Sequence, residues 1–263
     1  MTEILIAAAI VGGVGILIGV FLGLSGEKLK VEVDPKEVAV REALPGNNCG
    51  GCGFPGCDGL AAAIAKGEAP VDGCPVGGNP VAQAIAEIMG VTVEEGVKKA
   101  AIVKCSGNCE KAKDNYVYSG VEDCYMASLA NNGGAKACTY GCLGFGSCAK
   151  VCDSNAISIV NGIAVIDPDK CGSCGKCVKA CPKGLIEIRP VNNVAHVLCS
   201  SKDKGKAVMD VCSVGCIGCT LCEKQCEYGA IVMENNIPVI DSNKCVGCGK
   251  CAEKCPKKII SIS

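Results

Sequence analysis

Seven cysteines recur at one constant offset, and that recurrence limits what this chain can fold into. Cys142, Cys148, Cys152, Cys171, Cys174, Cys177 and Cys181 reappear 74 residues later as Cys216, Cys222, Cys226, Cys245, Cys248, Cys251 and Cys255. The text between them recurs too: Ala156-Ile157, Val165-Ile166-Asp167 and Lys170 match Ala230-Ile231, Val239-Ile240-Asp241 and Lys244. A self-match at a fixed period means one structural unit present twice.

The chain has 25 cysteines in 263 residues, beside one His and no Trp. Disulfides, zinc and iron–sulfur clusters compete to explain them. Disulfide frameworks belong to small secreted domains. Zinc usually takes two pairs of ligands well separated in sequence. Here Cys171-x2-Cys174-x2-Cys177-x3-Cys181-Pro182 packs four thiols into eleven residues, and Cys245-x2-Cys248-x2-Cys251-x3-Cys255-Pro256 repeats it. In two-cluster bacterial ferredoxins the first three thiols of such a run hold one cubane and the fourth ligates the other. The spacing therefore points to iron–sulfur, with a zinc-binding structural scaffold as the competing class.

Five Tyr and three Phe cannot fill a conventional core of this size. Clusters would replace that packing, which predicts several small lobes whose ligation energy is folding energy. The formal charge of −1 excludes little, and no nucleic-acid signature is present.

From Ile4 to Gly26 the chain carries no charge. As a helix this stretch is roughly 34 Å long, enough to span the hydrocarbon layer of a bilayer. A cleaved signal peptide would need a basic start and a shorter apolar run, so an uncleaved single-pass anchor is expected over residues 1–26. Lys28, Lys30 and Lys36 follow it and nothing basic precedes it. The positive-inside rule then puts the N-terminus outside and the cysteine-rich part in the cytoplasm, where labile clusters also belong. Gly15, Gly19 and Gly23 lie four apart and offer a smooth helix face to a second membrane helix.

An extended linker, Val31 to Pro35, precedes a predicted short helix over Lys36 to Leu44. Cys49, Cys52, Cys57 and Cys74 follow at C-x2-C-x4-C-x16-C spacing in a glycine-rich stretch. Such glycines let the backbone fold tightly round a cluster and aim N–H groups at its sulfurs. Helical periodicity predicts two helices over this lobe, Asp58 to Lys66 and Pro80 to Met89.

Glu32-Val33-Asp34-Pro35, Arg41-Glu42-Ala43-Leu44-Pro45-Gly46-Asn47-Asn48-Cys49-Gly50-Gly51-Cys52-Gly53-Phe54-Pro55-Gly56-Cys57-Asp58-Gly59-Leu60-Ala61 and Pro70-Val71-Asp72-Gly73-Cys74-Pro75 closely resemble the B subunit of the Rnf complex. The resemblance implies an iron–sulfur subunit of a membrane ferredoxin:NAD+ oxidoreductase that couples electron flow to Na+ or H+ translocation. It implies reduced soluble ferredoxin, other membrane subunits and the cytoplasmic (inner) membrane as partners. Many members have one C-terminal ferredoxin unit with two C-x2-C-x2-C-x3-C-P runs. This chain has two units, and the first has a C-x3-C-x5-C-x3-C stretch in place of one run.

In the second unit Cys216, Cys219 and Cys222 lie close together, but Phe145 stands where the first unit would need the counterpart of Cys219. Cys138 is the nearest substitute, one turn before Cys142 if that stretch is helical. The exchange rule then gives four ferredoxin clusters: Cys138, Cys142, Cys148 and Cys181; Cys152, Cys171, Cys174 and Cys177; Cys216, Cys219, Cys222 and Cys255; and Cys226, Cys245, Cys248 and Cys251. The glycine-rich lobe makes five. Cys105, Cys109, Cys124, Cys199 and Cys212 remain, with Cys212 lying 74 after Cys138 and Cys199 lying 75 after Cys124. They are either ligands of a sixth cluster or buried free thiols.

The expected fold is α+β: an N-terminal transmembrane helix (1–26), a small α-rich [4Fe–4S] lobe (27–100), a linker with the first two-cluster ferredoxin-like unit (101–190), and a second such unit (191–263). Five or six [4Fe–4S] clusters relay electrons through it, with no catalytic acid, base or nucleophile. His196 stands alone, and no G-x-G-x-x-G opens a βαβ unit, so nicotinamide or flavin binding is not supported. Lys244, Lys250, Lys254, Lys257 and Lys258 form either a ferredoxin docking face or a solvated surface. The runner-up is an electron-carrying subunit of another membrane reductase.

Overall fold

The computed structural model describes residues 2–28, 34–93 and 97–262, and within the first helix the side chains of residues 2 and 12–25. That helix, α1, runs Thr2–Lys28 over 27 residues. Among the described residues no helix is long and apolar enough to cross a membrane. Most of the linker expected from Val31 lies outside the described residues.

Three helices build the glycine-rich lobe: α2 (Pro35–Ala43), α3 (Gly56–Ala65) and α4 (Gly78–Met89). Each overlaps a helix expected from the periodicity. Asp34 starts α2 by accepting the Lys36 N–H at 2.8 Å, with Pro35 at the first helical position, where its missing N–H costs nothing. The apolar stripes of the three helices meet at Val40, Leu60, Ile64 and Ile85, none more than 1% exposed. Each contributes about 1.5–3 kcal/mol by burial.

The rest of the chain is one motif written twice. The first copy contains β1 (Lys99–Val103), α5 (Cys124–Ser128), α6 (Ser147–Lys150), β2 (Ile157–Val160), β3 (Ile163–Ile166), α7 (Lys176–Ala180) and β4 (Ile186–Pro190). The second contains β5 (Ala195–Val197), α8 (Lys206–Val211), α9 (Leu221–Lys224), β6 (Ile231–Glu234), β7 (Ile237–Ile240), α10 (Lys250–Lys254) and β8 (Ile260–Ile262). In each copy the outer strands pair antiparallel, β1 with β4 and β5 with β8, and the inner strands form a hairpin. The hairpins turn at Asn161-Gly162 and Asn235-Asn236, all with positive φ, which matches the right-handed twist of the strands.

Hydrogen bonds fix the correspondence between copies. The Lys104 N–H meets the Leu185 carbonyl at 2.7 Å, and the Leu198 N–H meets that of Ile259 at 2.7 Å. So Lys104 matches Leu198, and Cys105 matches Cys199. The first copy therefore holds about twenty extra residues before Cys138, an insertion that includes α5.

Thiols sit inside both cores. Cys148 and Cys177 pack with Ala101, Val103, Ala164 and Ile186, and Cys216, Cys222, Cys251 and Cys255 with Ile231, Ile240, Ile259 and Ile260. The copies meet along a seam where Ala112 bridges Cys212, the Lys113 N–H donates to the Val211 carbonyl (3.0 Å) and the Ser213 N–H to that of Lys111 (2.8 Å). The lobe packs on the first copy: a Cβ on Gly51 would lie 2.9 Å from the Cys174 carbonyl oxygen, so only glycine permits this approach.

Candidate metal centres

All 25 cysteines are free thiols. Among the described residues, 23 of them gather into six groups, five of four thiols and one, in the lobe, of three. In the lobe, Cys74 lies beside Cys52 and Cys57. Asn48, at φ +46 next to Cys49, accepts the Cys57 N–H at 2.8 Å and folds the loop back on α3. In the first copy Cys177 lies among Cys171, Cys174 and Cys152, the set that the spacing predicts. In the second, Cys216, Cys219, Cys222 and Cys255 line one small cavity, and Cys251 faces Cys245 and Cys248, with Cys226 in the same core.

The other two sets differ from the sequence-based grouping. Residues 138–142 form a turn closed by the Gly141 N–H on the Cys138 carbonyl (3.1 Å), not a helix. Cys138 consequently does not join Cys142. It lies against Cys105, Cys199 and Cys212, which line a single cavity with it. The place beside Cys142, Cys148 and Cys181 is taken by Cys124 instead. Cys124 opens α5, whose cap Asp123 accepts the Tyr125 and Met126 N–H groups and the Ser147 hydroxyl, while the Ser147 oxygen accepts the Cys124 N–H at 2.9 Å. These donors hold the Asp123 carboxyl below its ordinary pKa. Cys109 is exposed beside Gly162 and stands outside the six sets.

Two signals for this regrouping were present in the sequence. Cys105 follows Ala101-Ile102-Val103-Lys104 as Cys199 follows Ala195-His196-Val197-Leu198, and Cys138 and Cys212 share the 74-residue offset. The near-match of Cys124 to Cys199 concealed the first signal, because the insertion moves Cys105 out of phase with the repeat.

The donor set fits cubane clusters. Backbone N–H groups point at sulfur in every lobe: Gly77 at Cys74 (3.4 Å), Ala101 at Cys171 (3.3 Å), Leu185 at Cys181 (3.4 Å), Ala195 at Cys245 (3.5 Å) and Ala230 at Cys226 (3.4 Å). Within the first copy the Cys142 N–H donates to Cys105 Sγ, and within the second the Cys216 N–H donates to Cys199 Sγ, each at 3.4 Å. Such bonds stabilise thiolate and tune the potential of anything it ligates. Among the described residues no three His, Cys, Asp or Glu side chains converge on a point that would hold one metal ion. A cubane does not ask for that, since each thiolate binds a different iron. Burial pushes the thiol pKa of Cys138, Cys177, Cys216 and Cys222 to about 11 and that of Cys148 to about 12, and neighbouring thiolates add to it. Loading these sites therefore expels protons.

His196 is buried on β5, where burial and then Arg189 hold its pKa below the ordinary value. The C-terminal lysines are partly engaged: Lys250 pairs with Glu227 (2.6 Å) and Lys257 donates to the Ser213 carbonyl (3.0 Å). A second basic surface, which the spacing of lysines did not reveal, lies between the copies, where Glu187 pairs with Lys104 and Arg189. Lys104, Lys183, Arg189 and Lys202 line a cavity there of 490 Å³ beside Cys199, with Glu187 the one acid among its lining residues.

Residues 44–76 match the family "Putative Fe-S cluster", residues 164–187 the "4Fe-4S binding domain" and residues 215–259 the "4Fe-4S dicluster domain". The chain is 47% identical over 262 residues, 99% of its length and 78% of the relative's, to the B subunit of the Na(+)-translocating ferredoxin:NAD(+) oxidoreductase complex of Acetobacterium woodii. It is 41% identical, over 97% of its length and 91% of the relative's, to the B subunit of the proton-translocating ferredoxin:NAD(+) oxidoreductase complex of Clostridium ljungdahlii. The B subunit of the ion-translocating oxidoreductase complex of Methanosarcina acetivorans is 42% identical and matches end to end, 100% of both chains. By its four-thiol lobes and by this near full-length identity, the chain belongs to the family of Rnf complex B subunits.

Proposed function

We propose that this chain is the iron–sulfur electron-transfer subunit of an ion-translocating ferredoxin:NAD+ oxidoreductase complex, and that it carries electrons along six [4Fe–4S] clusters in single file. The observation that carries this reading is the contiguity of the six thiol sets. Gly51 touches Cys174, and the Lys176 ammonium lies near both Cys174 and Cys49, which joins the lobe to the first copy. Helix α7 contributes Cys177 to one set and leads directly into Cys181 of the next. The Cys142 N–H then reaches Cys105, and the Cys216 N–H reaches Cys199. Finally α10 contributes Cys251, with Cys255 directly after it in the neighbouring set.

On this reading the ligands are Cys49, Cys52, Cys57 and Cys74; Cys152, Cys171, Cys174 and Cys177; Cys124, Cys142, Cys148 and Cys181; Cys105, Cys138, Cys199 and Cys212; Cys216, Cys219, Cys222 and Cys255; and Cys226, Cys245, Cys248 and Cys251. When bound, the clusters supply one-electron chemistry, and the chain supplies thiolates, N–H donors and exclusion of water. Reduced ferredoxin docks on the two-copy region, and the basic cavity beside Cys199 supports electrostatic steering of an acidic carrier. Helix α1 is the membrane anchor, with the clusters on the cytoplasmic side. Its 27 residues span about 40 Å, and Ile16, Leu17 and Phe21 are each at least 70% exposed. The domains then fall as anchor, lobe and two ferredoxin-like units, near residues 26, 100 and 190.

The decisive measurement is iron and sulfide per chain with EPR of the reduced protein, on wild type, Cys138→Ser and Cys212→Ser. The expected result is six clusters in the wild type and loss of the same signal in both variants. Five clusters, or different signals lost, would refute the shared site. A folded, iron-free wild type would refute electron transfer altogether.

A further inference from the structure

Lys136 is 6% exposed, one of three buried polar side chains in the described chain, with His196 and Ser201. Its ammonium donates to the Gly107 carbonyl at 2.9 Å and to the Gly162 carbonyl at 3.0 Å. It forms no ion pair among the described residues. Asp114 bridges it only through backbone and is itself exposed. A buried cation without a counter-charge is costly.

What surrounds it is sulfur. A Cβ on Gly107 would lie 3.3 Å from Cys212 Sγ and 3.8 Å from Cys105 Sγ, and one on Gly141, next to Cys142, would lie 3.7 Å from Lys136 Cδ. The ammonium thus stands between the seam set (Cys105, Cys138, Cys199, Cys212) and the Cys142 set.

The duplication separates the charge from the structural tie. In the first copy Lys136 links the β2–β3 turn, through Gly162, to the loop after Cys105, through Gly107. In the second copy Asn236, the counterpart of Gly162, makes the same link with its side-chain amide, which donates to the Lys202 carbonyl at 2.9 Å. The position matching Lys136 is Asp210, which is exposed. A neutral amide therefore closes this fold, and the tie alone does not call for a buried cation.

We infer that Lys136 is a fixed internal counter-charge for the clusters at the seam, one that favours their reduced state. The inference rests on the cluster reading above. A cubane held by four thiolates is an anion whose charge grows by one when it takes an electron from a one-electron donor, with no bond made or broken and no proton taken up. A buried cation bonded to the Gly107 carbonyl, beside these thiols, stabilises the more negative state, so the seam becomes a local low point in energy for the travelling electron.

Redox titration of the full-length chain, followed by EPR, tests this with Lys136→Gln, Lys136→Arg and Asn108→Asp. Gln keeps amide donors and removes the charge, while Arg keeps the charge. Asn108→Asp adds a carboxylate beside Gly107 and preserves the acceptor that Asn108 offers the Glu110 and Lys111 N–H groups. The expected result for Lys136→Gln is a lower midpoint for one or two signals, roughly tenfold in the reduced-to-oxidised ratio at fixed potential, about 59 mV for one electron. Lys136→Arg should stay close to wild type, and Asn108→Asp should move the same signals in the same direction as Gln. An iron-replete Lys136→Gln protein with wild-type midpoints overturns the inference. If that variant loses iron, unchanged midpoints in Asn108→Asp overturn it. Failure of the cluster reading would be seen separately, as absence of iron from the wild type.

Discussion

The two copies share a strand order, a hairpin and a pattern of N–H···S bonds, yet they fill one thiol position by different routes. The second takes Cys219 from a tight C-x2-C-x2-C run. The first has Phe145 there, packed at 5.2 Å on Tyr118 of the insertion, and draws Cys124 from that insertion into the gap. A loop long enough to fold back can thus place a thiol where the motif itself carries none. The cost is a longer closure, met by the cap and hydrogen bonds around Asp123 and Ser147.

The sharpest way to break this comparison is to exchange the two solutions. Cys124→Ser should lose the cluster signal of its set, and adding Phe145→Cys should restore it by recreating the geometry of Cys219. Iron content and EPR decide the matter. Full retention in Cys124→Ser would return Cys124 to the status of a buried thiol.

A smaller effect is expected in the hairpins. Ile240 is 1% exposed, whereas its counterpart Ile166 is half-buried. Ile240→Ala should cost about 2–5 kcal/mol and Ile166→Ala clearly less. Denaturant unfolding of the loaded protein measures both, and equal losses would show that the copies are packed alike. The smallest effect has the opposite sign. Helix α6 begins after Gly146 at φ +75, but α9 begins after Thr220 at φ +63. A β-branched residue there is strained, so Thr220→Gly should stabilise the second copy by about 1 kcal/mol. A lower melting temperature would mean that the Thr220 side chain contributes more than its backbone strain removes.

The sequence made the repeat, the α-rich lobe and the C-x2-C-x2-C-x3-C runs legible because much of their pattern is local: the first three thiols of each run lie within a few residues of each other. Helices α2, α3 and α4 were legible for the same reason, from caps and apolar spacing. The seam was not, since its four thiols come from positions 105, 138, 199 and 212 and meet only through the packing of two copies. Cys138 beside Cys142 was the nearest choice along the chain. The turn closed at Gly141 points it across the seam instead. The charge-free run from Ile4 was legible as one stretch, and it falls within α1.

The seam set has a consequence for biosynthesis. With two of its thiols from each copy, it has no complete form in a nascent chain that stops short of Cys212. Because ligation energy would be folding energy, the first copy reaches this increment of stability only once Cys212, early in the second copy, has been made. A polypeptide that ended before Cys199 would hold Cys105 and Cys138 without the two thiols that complete the set.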